Sequence, residues 1–157
     1  MPTKLSAVLF VLLATATAWA GLGKLKGQIV LSDQPLPAMN DDGDKAADQL
    51  KKANKDKLER SKDSDGWSFH MMAFLDKRPG VTSLSLMLYD ITDGKHNYLT
   101  SKDISCDVGA EILASDIDVS EDDGVKAGMK IEIDLAKIVG DKEIDLAKTK
   151  VTFTAAK

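Results

Sequence analysis

The stretch from Trp67 to Ile91 is the richest apolar run outside the N-terminus, and apolar side chains recur in it at every second position. Successive side chains of a strand point to opposite faces of a sheet, so alternation marks a strand with one buried face. Two alternating runs flank Pro79 and Gly80, which are typical turn residues. We therefore predict a β-hairpin whose buried face carries Trp67, Phe69, Met71, Ala73 and Leu75 on one strand and Leu84, Leu86 and Leu88 on the other.

The same alternation predicts a register for this hairpin. Antiparallel pairing of the two apolar faces sets Ala73 opposite Leu84, with Met71 opposite Leu86 and Phe69 opposite Leu88. The second face of the hairpin then carries His70, Met72, Phe74, Met87 and Tyr89.

A helical pattern precedes the hairpin. Between Lys45 and Arg60 the apolar residues fall within about 140° of the helix circumference at 100° per residue. This spacing predicts an amphipathic surface helix whose apolar stripe consists of Ala46, Ala47, Leu50, Ala53 and Leu58. A stripe with only two leucines must pack against a larger apolar surface to be stable.

Further strands are predicted over Gly27–Leu31, Asn97–Ser105, Glu111–Val119 and Met129–Leu135. Gly140 and Asp141 suit a two-residue hairpin turn after the last of these, which sets Leu135 opposite Leu146.

The strand that follows this turn changes phase. Its apolar positions are even at Ile144 and Leu146 but odd at Val151 and Phe153, which predicts a β-bulge near Lys148–Lys150. The hexapeptide EIDLAK occurs twice, at Glu132–Lys137 and Glu143–Lys148, as expected for two arms of one hairpin.

About seven strands and one inserted helix favour a mainly β fold, an antiparallel β-sandwich. The segment Gly124–Phe153 resembles the last two strands of immunoglobulin-like and fibronectin type III-like domains, in which a glycine precedes a strand that a hairpin joins to the final strand. The chain lacks the tyrosine that this family carries near the start of the penultimate strand. The resemblance implies an Ig-like sandwich, and the whole chain also resembles exported bacterial proteins of unknown function.

The N-terminus has the pattern of a secretory signal peptide. Lys4 is followed by an apolar core over Ala7–Ala14, and Ala18-Trp19-Ala20 forms a small-x-small cleavage site. A membrane anchor would need about 20 mostly apolar residues. We predict cleavage after Ala20, a single domain over residues 21–157, no membrane insertion after cleavage, and a periplasmic or extracellular location.

Composition narrows the classes of partner. Without the leader the chain has 20 basic and 25 acidic residues, and an acidic surface argues against nucleic acid and anionic lipid as ligands. Cys106 is the only cysteine, so no intrachain disulfide forms. Its neighbours Ile104 and Val108 indicate a small buried hydrophobe, the alternative being an intermolecular disulfide or a reactive thiol.

The leading candidate site is the second face of the hairpin: His70, Met72, Phe74, Met87 and Tyr89. This face is too apolar for full solvation, so either the helix or a loop covers it, or a protein partner or second copy binds there. The alternative is a copper(I) site of His70, Met72 and Met87, because imidazole and thioether ligands suit that ion. Successive strand residues point to opposite faces, which keeps Met71 out of such a site.

An acidic segment, Asp116–Gly124, begins like a calcium-binding loop. It then departs from the pattern, with Glu121 in the position of the glycine and Ala127 in that of the glutamate. A solvated turn is the simpler interpretation, and weak calcium binding is the alternative.

Motifs for hydrolysis, phosphate binding and cysteine catalysis are missing from the sequence. We therefore predict an exported, non-enzymatic binding or structural module without a cofactor. Periplasmic copper handling is the alternative function.

Overall fold

The computed structural model describes residues 21–37 and 43–157, so the predicted leader Met1–Ala20 lies outside the described residues. In the described part the chain forms one α-helix and eight strands. The helix is α1 (Gly43–Ala53), and the strands are β1 (Gln28–Ser32), β2 (Lys57–Glu59), β3 (Gly66–Phe74), β4 (Ser83–Asp90), β5 (Asn97–Ser105), β6 (Ile112–Ser120), β7 (Lys130–Val139) and β8 (Lys142–Thr154). No helix in these ranges combines the length and apolar character that a bilayer crossing requires.

The strands form one sheet in the order β5-β4-β7-β8-β1-β3-β6, with β2 paired to β8. The prediction of an antiparallel sandwich is therefore corrected: β8 runs parallel to β1 and β2, so the sheet is mixed and curls into a nearly closed, barrel-like form. At its open edges, the Lys102 amine of β5 lies 3.2 Å from the Asp123 carboxylate just after β6. The fold is mainly β, as predicted, and the Ig-like sandwich is not confirmed.

One apolar interior holds the sheet together. It receives side chains from all eight strands, and the predicted leucines Leu84, Leu86 and Leu88 are fully buried in it together with Trp67 and Phe153. Trp67 packs edge-on against Phe153 at 5.2 Å between ring centroids.

The predicted pairing of the hairpin is wrong, although its buried face is correct. β3 pairs with β1 and β6, while β4 pairs with β5 and β7, so Ala73 lies opposite Ile29 and Leu113 instead of Leu84. Alternation identifies which face is buried but cannot distinguish two neighbouring strands from two strands that face each other across a core. An eight-residue connection, 75–82, carries the chain from β3 to β4.

The predicted helix Lys45–Arg60 is present but ends early, at Ala53. The chain then bonds to β1, because the Asn54 side chain accepts a hydrogen bond from the Leu31 amide at 2.9 Å and the Lys55 amide donates to the Leu31 carbonyl at 2.8 Å. Leu58, assigned to the helix stripe, lies instead on β2 and enters the interior.

Helix α1 packs on the outside of the sheet. Its residues Ala46, Ala47 and Leu50 form a second apolar cluster with β1, β3 and the chain that precedes β1. The remaining members of that cluster are Leu22, Leu25, Val30, Met72 and Phe74. The inner face of the sheet thus encloses the core, and the helix covers part of the outer face.

The predicted β7–β8 hairpin is present, with Val139 opposite Lys142 across the turn, but the predicted pairing of Leu135 with Leu146 is wrong. The bulge lies earlier than predicted. Leu135 pairs with Ala147 and the next pair is Ala136 with Asp145, so Leu146 is the extra residue and not a member of Lys148–Lys150. Leu146 and Ala147 are adjacent in the chain and both buried. Regular alternation would expose one of them, and the bulge allows both to be buried.

Candidate metal centre

The structure separates the five residues predicted to form one surface. Met72 and Phe74 are buried beneath α1, whereas Met87 and Tyr89 lie on the outer face of β4 beside Ala136 of β7. His70 lies opposite Asp116 of β6, and its Nδ1 is 2.5 Å from the Asp116 carboxylate. The three predicted copper ligands His70, Met72 and Met87 are therefore not brought together.

The acidic segment Asp116–Gly124 does not form a calcium loop either. Most of it belongs to β6, and its end forms a short 3-10 turn, Glu121–Asp123. Burial opposes ionisation of Asp123, but hydrogen bonds from Ser120 and Lys102 keep the pKa of its carboxyl below the ordinary value.

Polar side chains gather instead on the outer face of β4, β7 and β8. The strand pairing places Asp134 between Met87 and Lys148 in one row, and Glu132 between Tyr89 and Lys150 in the next. Alternation on β7 predicts that Glu132 and Asp134 share a face, because their neighbours Ile131 and Ile133 point into the core. We call the group of His96, Glu132, Asp134, Glu143, Asp145 and Lys148 the Asp134 cluster.

Asp134 is the exceptional member of this cluster. Its side chain is only 4% exposed, and the buried Oδ1 has no hydrogen-bond partner. Burial raises the pKa of the Asp134 carboxyl to about 6, and Glu132 and Asp145 act in the same direction against the opposing charge of Lys148. A buried carboxyl without a partner costs free energy, so its presence calls for an explanation.

Neighbouring charges in the cluster are better satisfied. The Lys148 amine donates to Asp145 Oδ2 at 3.0 Å, and this hydrogen bond raises the pKa of Lys148. Burial opposes ionisation of Glu132, but the hydrogen bond from His96 and the charges of Lys148 and Lys150 keep the pKa of its carboxyl below the ordinary value. The His96 Nε2 lies 3.0 Å from Glu132 Oε1.

Tyr89 connects the two sides of the cluster. Its ring stacks on the His96 imidazole, with 4.0 Å between centroids and 22° between planes. Its hydroxyl lies 3.3 Å from each oxygen of Glu143 and 3.4 Å from the Met87 sulfur. Burial and the charge of Glu143 raise the pKa of Tyr89 to about 12, so the hydroxyl remains a hydrogen-bond donor at neutral pH.

Two sets of potential metal ligands overlap in the cluster. His96, Glu132 and Asp134 offer one donor atom each within 4.8 Å of one another, and so do Asp134, Glu143 and Asp145. Asp134 belongs to both sets. An imidazole with two carboxylates, or three carboxylates, is a donor group that binds divalent cations in proteins.

The sequence contains a signal for this cluster that alternation alone did not reveal. Each copy of EIDLAK begins with Glu-x-Asp, and the first copy supplies Glu132 and Asp134 while the second supplies Glu143 and Asp145. Because β7 and β8 are adjacent, the two pairs meet on one face. His96 precedes β5 and joins them only through the fold.

Comparisons of the chain with protein-family models, curated protein sequences and solved structures found no match.

Proposed function

We propose that this protein is an exported, non-enzymatic binding module whose ligand is a divalent cation held by the Asp134 cluster. The observation that carries the proposal is the buried Asp134 carboxyl, whose Oδ1 has no partner although three other carboxylates and an imidazole surround the residue.

The charge of the cluster supports a cation as its ligand. Glu132, Asp134, Glu143 and Asp145 face two lysines, of which Lys148 contacts Asp145 and Lys150 approaches Glu132 at 3.5 Å. The four carboxylates outnumber the lysines by two, and the charge of a divalent ion matches that excess. Metal coordination also provides the partner that the buried Oδ1 of Asp134 otherwise lacks.

Export is the second part of the proposal. Its support is the signal peptide predicted over Met1–Ala20, with cleavage before Gly21. The resemblance of Gly124–Phe153 to the final hairpin of Ig-like domains stays a prediction and adds nothing to the choice of ligand.

Thermal unfolding of the EDTA-treated protein tests the binding part. Because a ligand that binds only the folded state stabilises it, Ca²⁺, Mn²⁺, Zn²⁺ or another divalent cation is expected to raise the Tm of the wild type. Asp134→Asn should abolish the rise, whereas Asp116→Asn, a change to an exposed aspartate that pairs with His70, should preserve it. A Tm that no divalent cation changes contradicts the proposal.

Cell fractionation tests the export part. The full-length chain should be recovered outside the cytoplasm with Gly21 as its first residue, as determined by mass spectrometry. Recovery in the cytoplasm with Met1 or Pro2 as the first residue contradicts it.

A further inference from the structure

The two overlapping ligand sets of the Asp134 cluster differ in what a cation must displace. Glu143 and Asp145 are already engaged, the first by the Tyr89 hydroxyl and the second by the Lys148 amine at 3.0 Å. A cation that binds Asp145 Oδ2 would have to displace the Lys148 amine from that oxygen. The set of His96, Glu132 and Asp134 contains no lysine contact as short as this one, since Lys148 is 3.8 Å from Asp134 and Lys150 is 3.5 Å from Glu132.

The distance between two of the donors suits a small metal ion. His96 Nε2 and Glu132 Oε1 are 3.0 Å apart. Two ligands bound to one tetrahedral zinc ion at about 2.0–2.1 Å lie about 3.3 Å from each other. The pair therefore needs only a small separation to admit the ion, and Asp134 supplies the third donor.

The surroundings of His96 hold its ring in place. The imidazole is half exposed, but one face of it stacks on Tyr89, which itself hydrogen-bonds to Glu143. Groups that orient a ligating histidine commonly change metal affinity 10- to 100-fold when they are removed. Tyr89 is thus a positioning residue for His96, and it accounts for a buried aromatic ring on the outer face of the sheet.

Donor chemistry distinguishes the two sets. Imidazole nitrogen suits zinc and its neighbours in the first transition series, whereas calcium and magnesium prefer sites made of oxygen alone. We propose that His96, Glu132 and Asp134 form a zinc-class site with three protein ligands and one open coordination position, while Lys148 stays paired with Asp145. This inference rests on the proposed function and specifies its ligand.

An open position defines what the site does chemically. Structural zinc sites are closed by four protein ligands, so a three-ligand site takes a water molecule or a donor from a small ligand as its fourth. The His96 side chain is half exposed to solvent, whereas the Asp134 side chain is buried. The fourth position would therefore hold an exchangeable water molecule or a small ligand.

Isothermal titration calorimetry with Zn²⁺ and with Ca²⁺, together with the visible absorption of bound Co²⁺, tests the inference on the EDTA-treated protein. Wild type should bind Zn²⁺ far more tightly than Ca²⁺. His96→Gln should weaken Zn²⁺ binding by more than about 100-fold, beyond the effect of losing an orienting group, and change the Co²⁺ spectrum, because an inner ligand is lost. Tyr89→Leu should weaken binding by a smaller factor and leave the Co²⁺ spectrum unchanged.

Matched variants separate the two ligand sets. Asp145→Asn should weaken Zn²⁺ binding less than His96→Gln does, because it only frees Lys148 to approach Asp134. His70→Gln, which alters the other histidine, should have no effect. Zinc binding that survives His96→Gln, or that falls more for Asp145→Asn than for His96→Gln, overturns the inference. Equally tight calcium binding overturns it too, but leaves the proposed function intact. A protein that binds no divalent cation at all refutes both.

Discussion

Lys148 lies opposite Asp134 in the β7–β8 pairing, yet its amine is 3.8 Å from Asp134 Oδ2 and only 3.0 Å from Asp145 Oδ2. Lys148 therefore pairs mainly with Asp145, the more exposed of the two carboxylates. Asp134 is left buried with a distant counter-charge, which is the arrangement that raises its pKa to about 6. The buried carboxylate is unfavourable for the folded protein by itself, and a bound cation would offset that cost.

Stability without metal should therefore depend on the ionisation of Asp134. Between its ordinary pKa of 3.8 and about 6, the folded protein keeps a proton that the unfolded chain has lost. Stability contributed by Asp134 thus falls as the pH rises through this window, and above it the ionised carboxylate costs up to about 3 kcal/mol. In EDTA at about pH 7.5, Asp134→Asn should raise the free energy of unfolding by about 1–3 kcal/mol.

Urea denaturation at several pH values measures this effect. The gain should shrink as the pH falls to about 4, because the protonated aspartate then resembles asparagine in shape and charge. Asp103→Asn, an exposed position on β5, is the control and should show no such pH dependence. A gain that is the same at both ends of the pH range contradicts the assignment.

Docking of α1 on the sheet should depend on Leu50. This side chain is 1% exposed between α1 and the outer face of β1 and β3. Leu50→Ala leaves a cavity and should lower the free energy of unfolding by about 2–4 kcal/mol. Chemical denaturation compares it with Lys52→Ala on the exposed side of the helix, which should change stability by less than about 0.5 kcal/mol. Equal effects of the two substitutions would show that the helix does not pack as described.

The indole of Trp67 should contribute a hydrogen bond in addition to its packing. Its Nε1 donates to the Thr154 carbonyl at 2.9 Å, and the ring is almost fully buried. Trp67→Phe preserves an aromatic ring but removes this hydrogen bond and leaves a cavity, while the carbonyl still accepts from the Arg60 amide at 3.0 Å, so the change should cost about 1–3 kcal/mol of stability. Tyr98→Phe, which removes an exposed hydroxyl bonded to Ser101, should cost almost nothing in the same denaturation experiment.

Cys106 should react slowly in the folded protein. The half-buried thiol donates to the Val81 carbonyl at 3.2 Å, and burial together with the charge of Asp107 raises its pKa. A higher pKa leaves less thiolate at neutral pH, so labelling by a disulfide reagent should accelerate when the protein is unfolded. A cysteine placed at exposed Val108 in a Cys106→Ser background should label rapidly without denaturant. Rapid labelling of native Cys106 would contradict this environment.

Alternation and turn residues in the sequence correctly predict the local features of this fold. The strand predicted within Asn97–Ser105 is present as β5, and the turn at Gly140 and Asp141 joins β7 to β8 as predicted. Both features are local, because a period of two and a turn depend on residues close together in the chain. The position of the bulge at Leu146 was not predictable to the residue, since either side of the phase change satisfies the same pattern.

The sequence by itself determined which face of β3 and β4 enters the core: the leucines of β4 and the odd-numbered apolar side chains of β3 are buried there, as their alternation requires. Only the tertiary structure decided that β3 and β4 face each other across that core instead of pairing, because burial of one face does not specify a strand's neighbours. The same holds for the Asp134 cluster. Each Glu-x-Asp pair is visible in the sequence, but the burial of Asp134 and its approach to His96 arise from the packing of β4, β7 and β8.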